Sequence, residues 1–254
     1  MHMKGGINRA ARFVSAVLAV AMAVVVAVVL FVLERAGWFD PDPPAIWREE
    51  AGKDDILTID GHDIIYWGKP DARYSRYATR SKKKPRGIVV HFTFPKRPSD
   101  IVRYGHQRDY GRGGASFGYH FYVGSTGRIY QGAPLSRRTN HIKFSKNARR
   151  TATAKHLWSG NTIGISMVGG CNPMLAPVRG NPYKCSRETV TGAQLNAGLA
   201  VIRKLREQFD IPCREVYGHG ELQTDRWTFE GETLTRLARA DCTNDKAKGD
   251  NESS

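Results

Sequence analysis

Short apolar runs alternate along the chain with longer amphipathic stretches. Residues 87–93, 118–123 and 161–169 are rich in β-branched or aromatic residues, which predicts strands. The runs 87–93 and 161–169 have the pattern of buried strands. From Thr191 to about residue 209, apolar residues recur at every third or fourth position behind a Thr-x-x-Gln capping box, which predicts an amphipathic helix. Strands and helices mixed in this order predict an α/β fold with a mixed central β-sheet flanked by helices.

Turn residues add two hairpins to this outline. The first, around Asp60-Gly61-His62, joins residues 55–59 to 63–67, and the second joins residues 118–123 to 128–131. Glycine supplies the positive φ that such turns need. The pattern also predicts a helix over 97–110, a strand over 215–217 and a closing helix over 232–240.

The first forty residues carry the longest apolar run. Residues 13–33 hold no charge and, at about 1.5 Å per residue, are long enough to cross a hydrocarbon core of about 30 Å. Because basic residues precede the run and acidic ones follow it, the positive-inside rule places residues 1–12 in the cytoplasm. The prediction is a single-pass inner-membrane anchor, with a linker at 34–52, a domain at 53–242 in the periplasm or cell exterior, and a disordered tail at 243–254. A cleaved signal peptide is the alternative.

The formal net charge of +15 is concentrated in particular segments. Residues 128–155 contain many Lys and Arg but no acid, and residues 73–112 are also strongly basic. Such surfaces favour a polyanionic partner, whether nucleic acid, anionic lipid or a carboxylate-rich cell-wall polymer. No nucleic-acid recognition motif or pattern of stacking aromatics accompanies the charge, so we do not expect a nucleic-acid partner.

The four cysteines lack the close paired spacing of a structural zinc site. Cys171 and Cys185 bracket an aperiodic loop rich in Pro and Gly, which a cross-link would stabilise by limiting its unfolded freedom. Among three possible connectivities, we predict Cys171–Cys185 and Cys213–Cys242, as expected in an oxidising compartment.

Candidate metal chemistry is concentrated at two places. His91 ends the apolar run 87–93, and the segment 216–231, VYGHGELQTDRWTFEG, combines His219 with several carboxylates. Catalytic zinc takes three protein ligands and leaves a fourth position open. We therefore predict that His91, His219 and a carboxylate from the following loop meet in the fold.

Four motifs extend this prediction. GIVVHFT, GYHFYVGSTGRIYQGAP, NTIGISMVGG and VYGHGEL follow one another in this order, and together they resemble the zinc-dependent N-acetylmuramoyl-L-alanine amidases. That superfamily includes phage amidase endolysins and animal peptidoglycan recognition proteins. The resemblance implies their α/β fold, one Zn²⁺, and hydrolysis of the amide bond between the lactyl group of N-acetylmuramic acid and L-alanine in peptidoglycan. The alternative is a non-catalytic module that binds peptidoglycan. We expect a monomer.

The resemblance also implies roles for individual residues. His91 and His219 match zinc ligands, and Tyr119 matches the tyrosine that orients or activates the attacking water. The third ligand departs from the usual Cys or Asp: Glu230 is our choice, with Glu221 and Asp225 as competitors. Glu221 could instead hold the tautomer of His219.

Other positions complete the implied site. Thr228 matches the Lys or Thr that donates to the oxyanion, and Ser166 stands where the cytoplasmic recycling amidases have a catalytic glutamate, which leaves general-base duty to Tyr119. The implied substrate contacts are His141, Asn161, Arg137 and Arg138, with Lys and Arg of 128–155 binding the stem-peptide carboxylates. For His120 and His156, ordinary core and surface positions are favoured.

Overall fold

The computed structural model describes residues 17–28, 57–59, 61–66, 84–93, 118–136, 138–139, 141–142 and 155–251. The chain forms two units, Met1–Asp40 and Pro41–Ser254. The predicted linker at 34–52, the predicted helix at 97–110 and most of the basic segment 128–155 beyond residue 142 lie outside the described residues.

In the first unit, the described residues 17–28 form a helix, α1. Within the described parts of the chain, no helix combines the length and the apolar character needed to cross a membrane. The prediction of a membrane anchor over 13–33, and of a membrane-tethered domain outside it, is therefore wrong; the two ends of that segment lie outside the described residues.

The second unit is built on a six-stranded sheet. Its strands are β1 (Ile64–Tyr66), β2 (Gly87–Phe92), β3 (Phe121–Val123), β4 (Ile129–Gln131), β5 (Thr162–Met167) and β8 (Val216–Gly218), and a separate hairpin is formed by β6 (Pro177–Val178) and β7 (Asn181–Cys185). The order across the sheet is β1-β4-β3-β5-β2-β8. The β3–β4 pair is antiparallel and every other pair in the sheet is parallel, so the predicted mixed sheet is confirmed.

The helices of this unit follow the sheet in the chain. They are α2 (Gly192–Phe209), α3 (His219–Leu222) and α4 (Glu232–Asn251), with a 3₁₀ turn at Cys213–Glu215. The predicted capping box is present, since Thr191 accepts from the amide of Gln194 and Gln194 accepts from the amide of Thr191. The buried Gln194 side chain also donates to the carbonyls of Val123 and Val168. One residue therefore both caps α2 and ties it to the sheet.

Helix α4 runs further than predicted, to Asn251, and so covers much of the segment 243–254 for which polarity predicted disorder. That segment contains no proline, and it continues a helix whose first turns are held by the buried Leu234 and Ala238. A helix already nucleated by packing extends at low cost through residues that tolerate helical dihedrals.

The two faces of the sheet carry different side chains of β2. Ile88, Val90 and Phe92 of β2 join the main core, where α2 and α4 pack. The alternate residues Val89 and His91 point to the opposite face, because successive side chains of a strand alternate. All six residues of β2 are buried, as predicted for a strand covered on both faces. This alternation turns His91 away from α2 and α4.

Both predicted disulfides are present, and no cysteine is free. Cys171–Cys185 encloses the β6–β7 hairpin, so a segment predicted as irregular loop contains a short two-stranded sheet. Cys213–Cys242 joins the turn before β8 to helix α4. The second cross-link therefore fixes the strand that leads into His219.

Candidate metal centre

The carboxyl ends of two neighbouring parallel strands bring the two histidines together. Val90 of β2 pairs with Gly218 of β8. His91 follows Val90 within β2, and His219 follows Gly218 as the first residue of α3. Their Nδ1 atoms lie 2.9 Å apart, and both rings are buried. Ring atoms of residues far apart in the sequence thus meet because the strands pair in parallel.

A tight turn before α4 delivers the carboxylate. Glu230 Oε1 lies 2.9 Å from His219 Nδ1 and 3.4 Å from His91 Nδ1. Gly231 follows with a φ of +82°, and a Cβ there would stand 2.2 Å from the carbonyl oxygen of Val90. Only glycine fits this close approach, which lays the turn directly against β2.

Two further contacts hold the same turn. Phe92 stacks on Trp227 and Phe229 at ring-centroid distances of 5.5 and 5.8 Å. The carboxylate of Glu188 accepts from the amides of Gly231 and Thr233 at 2.6 and 2.8 Å, which satisfies free N–H groups at the start of α4. Contacts to the residues before and after Glu230 therefore hold it in position.

Burial and charge decide the protonation of the cluster. Burial, followed by the nearby His219, lowers the pKa of His91 from 6.5 to about 3. Burial alone would raise the pKa of Glu230, but hydrogen bonds from His219 and His91 outweigh it and lower that pKa to about 2. At neutral pH the site thus holds a neutral His91 imidazole and an ionised carboxylate, the forms that bind metal.

The donor set suits a divalent ion. The ligand atoms of His91, His219 and Glu230 all lie within 4.8 Å of one another. Atoms that share one tetrahedral zinc at about 2.1 Å are separated by about 3.4 Å, close to the observed 2.9 to 3.4 Å. Two nitrogens and a carboxylate oxygen that converge in this way fit zinc; their role as its ligands stays a prediction.

The two competing carboxylates point elsewhere. Glu221 forms a bidentate ion pair with Arg239, with distances of 2.9 and 2.8 Å, and accepts from the amide of Gly218 at 3.2 Å. Asp225 is exposed. Among the three candidates, Glu230 is the carboxylate that the fold brings to both histidines.

The outer nitrogen of His219 has a partner that the sequence analysis did not identify. Gln223 Oε1 lies 2.6 Å from His219 Nε2, the position for which Glu221 was considered. A signal was available, because residues four apart lie on one face of a helical turn. Glu188 was also missed, and it could not have been found from spacing because it lies far from Gly231 in the sequence.

Tyr119 lies beside the cluster, with its ring centroid 4.6 Å from that of His91. Burial, and next the Glu230 carboxylate, raise the pKa of Tyr119 well above its ordinary value. Ser166 is fully buried opposite His91 in the β2–β5 register, and its hydroxyl has no hydrogen-bond partner among the described residues. Thr228 is exposed, two residues before Glu230.

His141 is buried rather than open to a cleft, with 5% of its surface exposed. Thr162 donates to the carbonyl of Trp158 and so accepts from His141 Nε2 at 2.8 Å. Thr139 lies 2.7 Å from His141 Nδ1, where it can donate. The His141 ring packs edge-on against His91 at 5.5 Å. His141 therefore packs against His91 through its ring, and its role as a substrate contact stays a prediction.

The remaining predicted residues occupy different environments. The Asn161 amide accepts from the Trp158 amide and donates to the carbonyl of His156, so both of its ends bind the local turn. Arg138 lies over the ring of Trp158 at 5.2 Å, and Arg137 lies outside the described residues. His120 is fully buried and His156 pairs with Glu215 at the surface, as favoured.

Comparisons with known proteins bear on this site. The profile of the Amidase_2 family, described as N-acetylmuramoyl-L-alanine amidase, matches residues 81–233. No curated protein gives a significant match.

Several solved structures are similar to the chain. The N-acetylmuramoyl-L-alanine amidase LysC from Clostridium intestinale has 20% identity over 63% of this chain and 84% of its own, with a TM-score of 0.40. The Ph2119 endolysin from a Thermus scotoductus bacteriophage has 20% identity over 63% and 87%, with a TM-score of 0.40. Drosophila peptidoglycan recognition protein SA has 15% identity over 62% and 80%, with a TM-score of 0.41.

The family profile spans more than half of the 254 residues and includes all three members of the buried cluster. The chain belongs to the N-acetylmuramoyl-L-alanine amidase family.

Proposed function

We propose that this protein is a zinc-dependent amidase that hydrolyses the bond between the lactyl group of N-acetylmuramic acid and L-alanine in peptidoglycan. Family membership supports peptidoglycan amidase activity. Zinc dependence is supported by one observation in particular: His91, His219 and Glu230 converge in a buried cluster. A protein that only bound peptidoglycan would have no need to bury a carboxylate between two histidines, since such burial is costly without a partner cation.

The three residues of this cluster would hold the ion through His91 Nδ1, His219 Nδ1 and Glu230 Oε1. When bound, zinc activates water near neutral pH and polarises the scissile carbonyl. The protein contributes a neutral His91 and an ionised Glu230 at neutral pH, because the pKa values of both groups are lowered. The site is thus ready for a cation across the neutral pH range.

Tyr119 would orient the attacking water. Its raised pKa keeps the phenol protonated at neutral pH, so the hydroxyl can donate a hydrogen bond but takes up no proton in that state. This assigns Tyr119 a positioning and donating role in place of the general-base role first expected. Thr228, on the turn that carries Glu230, would donate to the oxyanion as the carbonyl carbon becomes tetrahedral.

The basic surface would bind the stem peptide. Arg138 offers a planar guanidinium held over Trp158, and such a group binds carboxylates in a bidentate manner. Arg137 and Asn161 complete the proposed substrate contacts. For Asn161 the contact would be indirect, since its amide holds the turn at 156–161.

Digestion of purified peptidoglycan by the full-length protein tests the proposal. Mass analysis should find stem peptides with a new free amino group on L-alanine, and glycan chains that retain their lactyl groups. His91→Gln should abolish this release, whereas the same substitution at the surface residue His156 should leave it intact.

Two results would contradict this function. One is cleavage at a glycosidic bond or within the stem peptide. The other is co-sedimentation of the unsubstituted protein with peptidoglycan without release of products, which would indicate a binding module.

A further inference from the structure

Gln223 is a fully buried polar residue next to the metal centre, outside the set of proposed zinc ligands. Its Oε1 lies 2.6 Å from His219 Nε2, and its backbone amide donates to the carbonyl of His219 at 3.1 Å. Both ends of the residue are thus bound to His219. The short helix α3 and the residue that follows it hold the amide side chain beside the imidazole.

The chemistry of this contact fixes the position of one proton of His219. An amide oxygen can only accept a hydrogen bond, so His219 Nε2 carries a proton. The other ring nitrogen, Nδ1, faces His91 Nδ1 and Glu230 Oε1. Because Gln223 keeps Nε2 protonated, Nδ1 is the nitrogen of His219 through which a cation can bind.

His91 is held in a different way. Its Nε2 is buried and has no hydrogen-bond partner among the described side chains and backbone. The ring is instead packed between Tyr119 at 4.6 Å and His141 at 5.5 Å. The His219 ring is thus held by a hydrogen bond from Nε2 to a residue outside the cluster, whereas the His91 ring is held by packing.

We propose that Gln223 is a positioning residue of the metal centre: it selects the Nε2–H tautomer of His219 and so presents Nδ1 to zinc. The proposal rests on the zinc site of the proposed function. Groups that accept from the outer nitrogen of a metal-binding histidine commonly change metal affinity by about 10 to 100-fold when they are removed. A neutral amide also adds no charge beside the Glu230 carboxylate.

Zinc affinity of the full-length protein, measured by competition with a chromophoric chelator, tests this role. Gln223→Met keeps the length of the side chain but removes the acceptor, and it should weaken zinc binding by about 10 to 100-fold. Gln223→Glu keeps an acceptor oxygen and should remain within about threefold of the unsubstituted protein, because the same tautomer is retained. Gln208→Met, the same change on the exposed surface of α2, is the matched control and should have no effect.

A second measurement uses the metal-free, unsubstituted protein. Nitrogen-15 NMR of the imidazole should find Nε2 of His219 protonated, and in Gln223→Met a smaller protonated fraction at Nε2. An unprotonated Nε2 in the unsubstituted protein would overturn the proposal, even if Gln223→Met failed to fold. Unchanged zinc affinity in a folded Gln223→Met protein would also overturn it.

The two proposals fail in different ways. If the unsubstituted protein binds no zinc, the metal centre of the proposed function is wrong, while the tautomer of His219 can still be measured. If it binds zinc and cleaves peptidoglycan but Gln223→Met behaves identically, only the role of Gln223 is wrong.

Discussion

His91 and Glu230 couple the stability of the metal-free protein to pH. Folding lowers the His91 pKa from 6.5 to about 3 and the Glu230 pKa from 4.5 to about 2. Within these windows the unfolded chain binds more protons than the folded one, so the stability that the groups contribute is present above the unfolded pKa and is lost as pH falls.

We therefore predict that the free energy of unfolding of the chelator-treated protein decreases as pH falls below 6.5. The slope should reach up to about 1.4 kcal/mol per pH unit for each titrating group. Urea titrations between pH 7 and pH 4 measure it. Since, of these two groups, His91 is the one that titrates between its unfolded pKa of 6.5 and the Glu230 value of 4.5, His91→Gln should flatten that part of the curve. An unchanged slope in this variant would rule out His91 as its source.

The choice of Glu230 over Glu221 as third ligand is tested by a pair of identical substitutions. Glu230→Gln should reduce zinc content and lower amidase activity by roughly 100-fold or more, since losing a ligand should cost at least as much as losing a group that positions one. Glu221→Gln removes an ion pair with Arg239 that is partly exposed, and it should retain most activity. Metal analysis and product release measure both variants. The reverse ranking would assign the ligand to Glu221.

The sequence located His91, His219 and Glu230 because each lies in a recognisable motif or just past a strand. It did not locate Gln223 or Glu188, and it did not predict that Asn161 binds its own turn or that His141 is enclosed by two threonines. A ligand type follows from local chemistry, whereas the hydrogen-bond partners of a side chain depend on which distant segments pack around it.

At the scale of elements, the turn that ends in Gly231 joins the metal centre to helix α4. Gly231→Ala should destabilise the protein by about 3 kcal/mol or more and displace Glu230, because it combines an unfavourable φ with a clash against the Val90 carbonyl. Gly180→Ala is the matched control, since it has a similar φ of +76° and no atom within 4 Å of the added Cβ, and it should cost about 1 kcal/mol.

Urea unfolding and zinc content measure both glycine variants. Equal destabilisation of the two would mean that the backbone conformation alone requires glycine, and that the close approach to β2 contributes nothing. Retention of one zinc per chain by Gly231→Ala would show that the turn does not set the position of Glu230.

Most of the elements could be predicted because local sequence determines them. β2, the β3–β4 hairpin, β5 and the capped α2 appear where the apolar periodicity and the capping box place them. The β6–β7 hairpin could not be predicted from the sequence, since its strands are mostly exposed and show no alternation of apolar and polar residues. It forms within the loop that Cys171–Cys185 closes, and a disulfide constraint of this kind is only weakly visible in hydrophobic periodicity.

At the scale of the whole molecule, the sheet topology explains why the site is where it is. β2 lies between β5 and β8, so the carboxyl end of β2 is flanked by two parallel neighbours. One contributes Ser166 beside His91, and the other leads directly into His219. Hydrophobic patterning predicted the strands but not their order, which depends on long-range pairing. The membrane anchor was inferred from the uncharged run at 13–33 and the charges that flank it, whereas no helix among the described residues has the length and apolar character to cross a membrane.

We propose that one zinc ion, held by His91, His219 and Glu230, is needed to cleave the lactyl–L-alanine amide. The most direct measurement follows release of peptides with N-terminal alanine from peptidoglycan by the full-length protein before chelation, after chelation and after zinc is restored. We predict that activity is lost with the metal and recovers as zinc approaches one equivalent per chain, and that Glu230→Gln does not recover. Full activity in protein from which zinc has been removed would contradict the account.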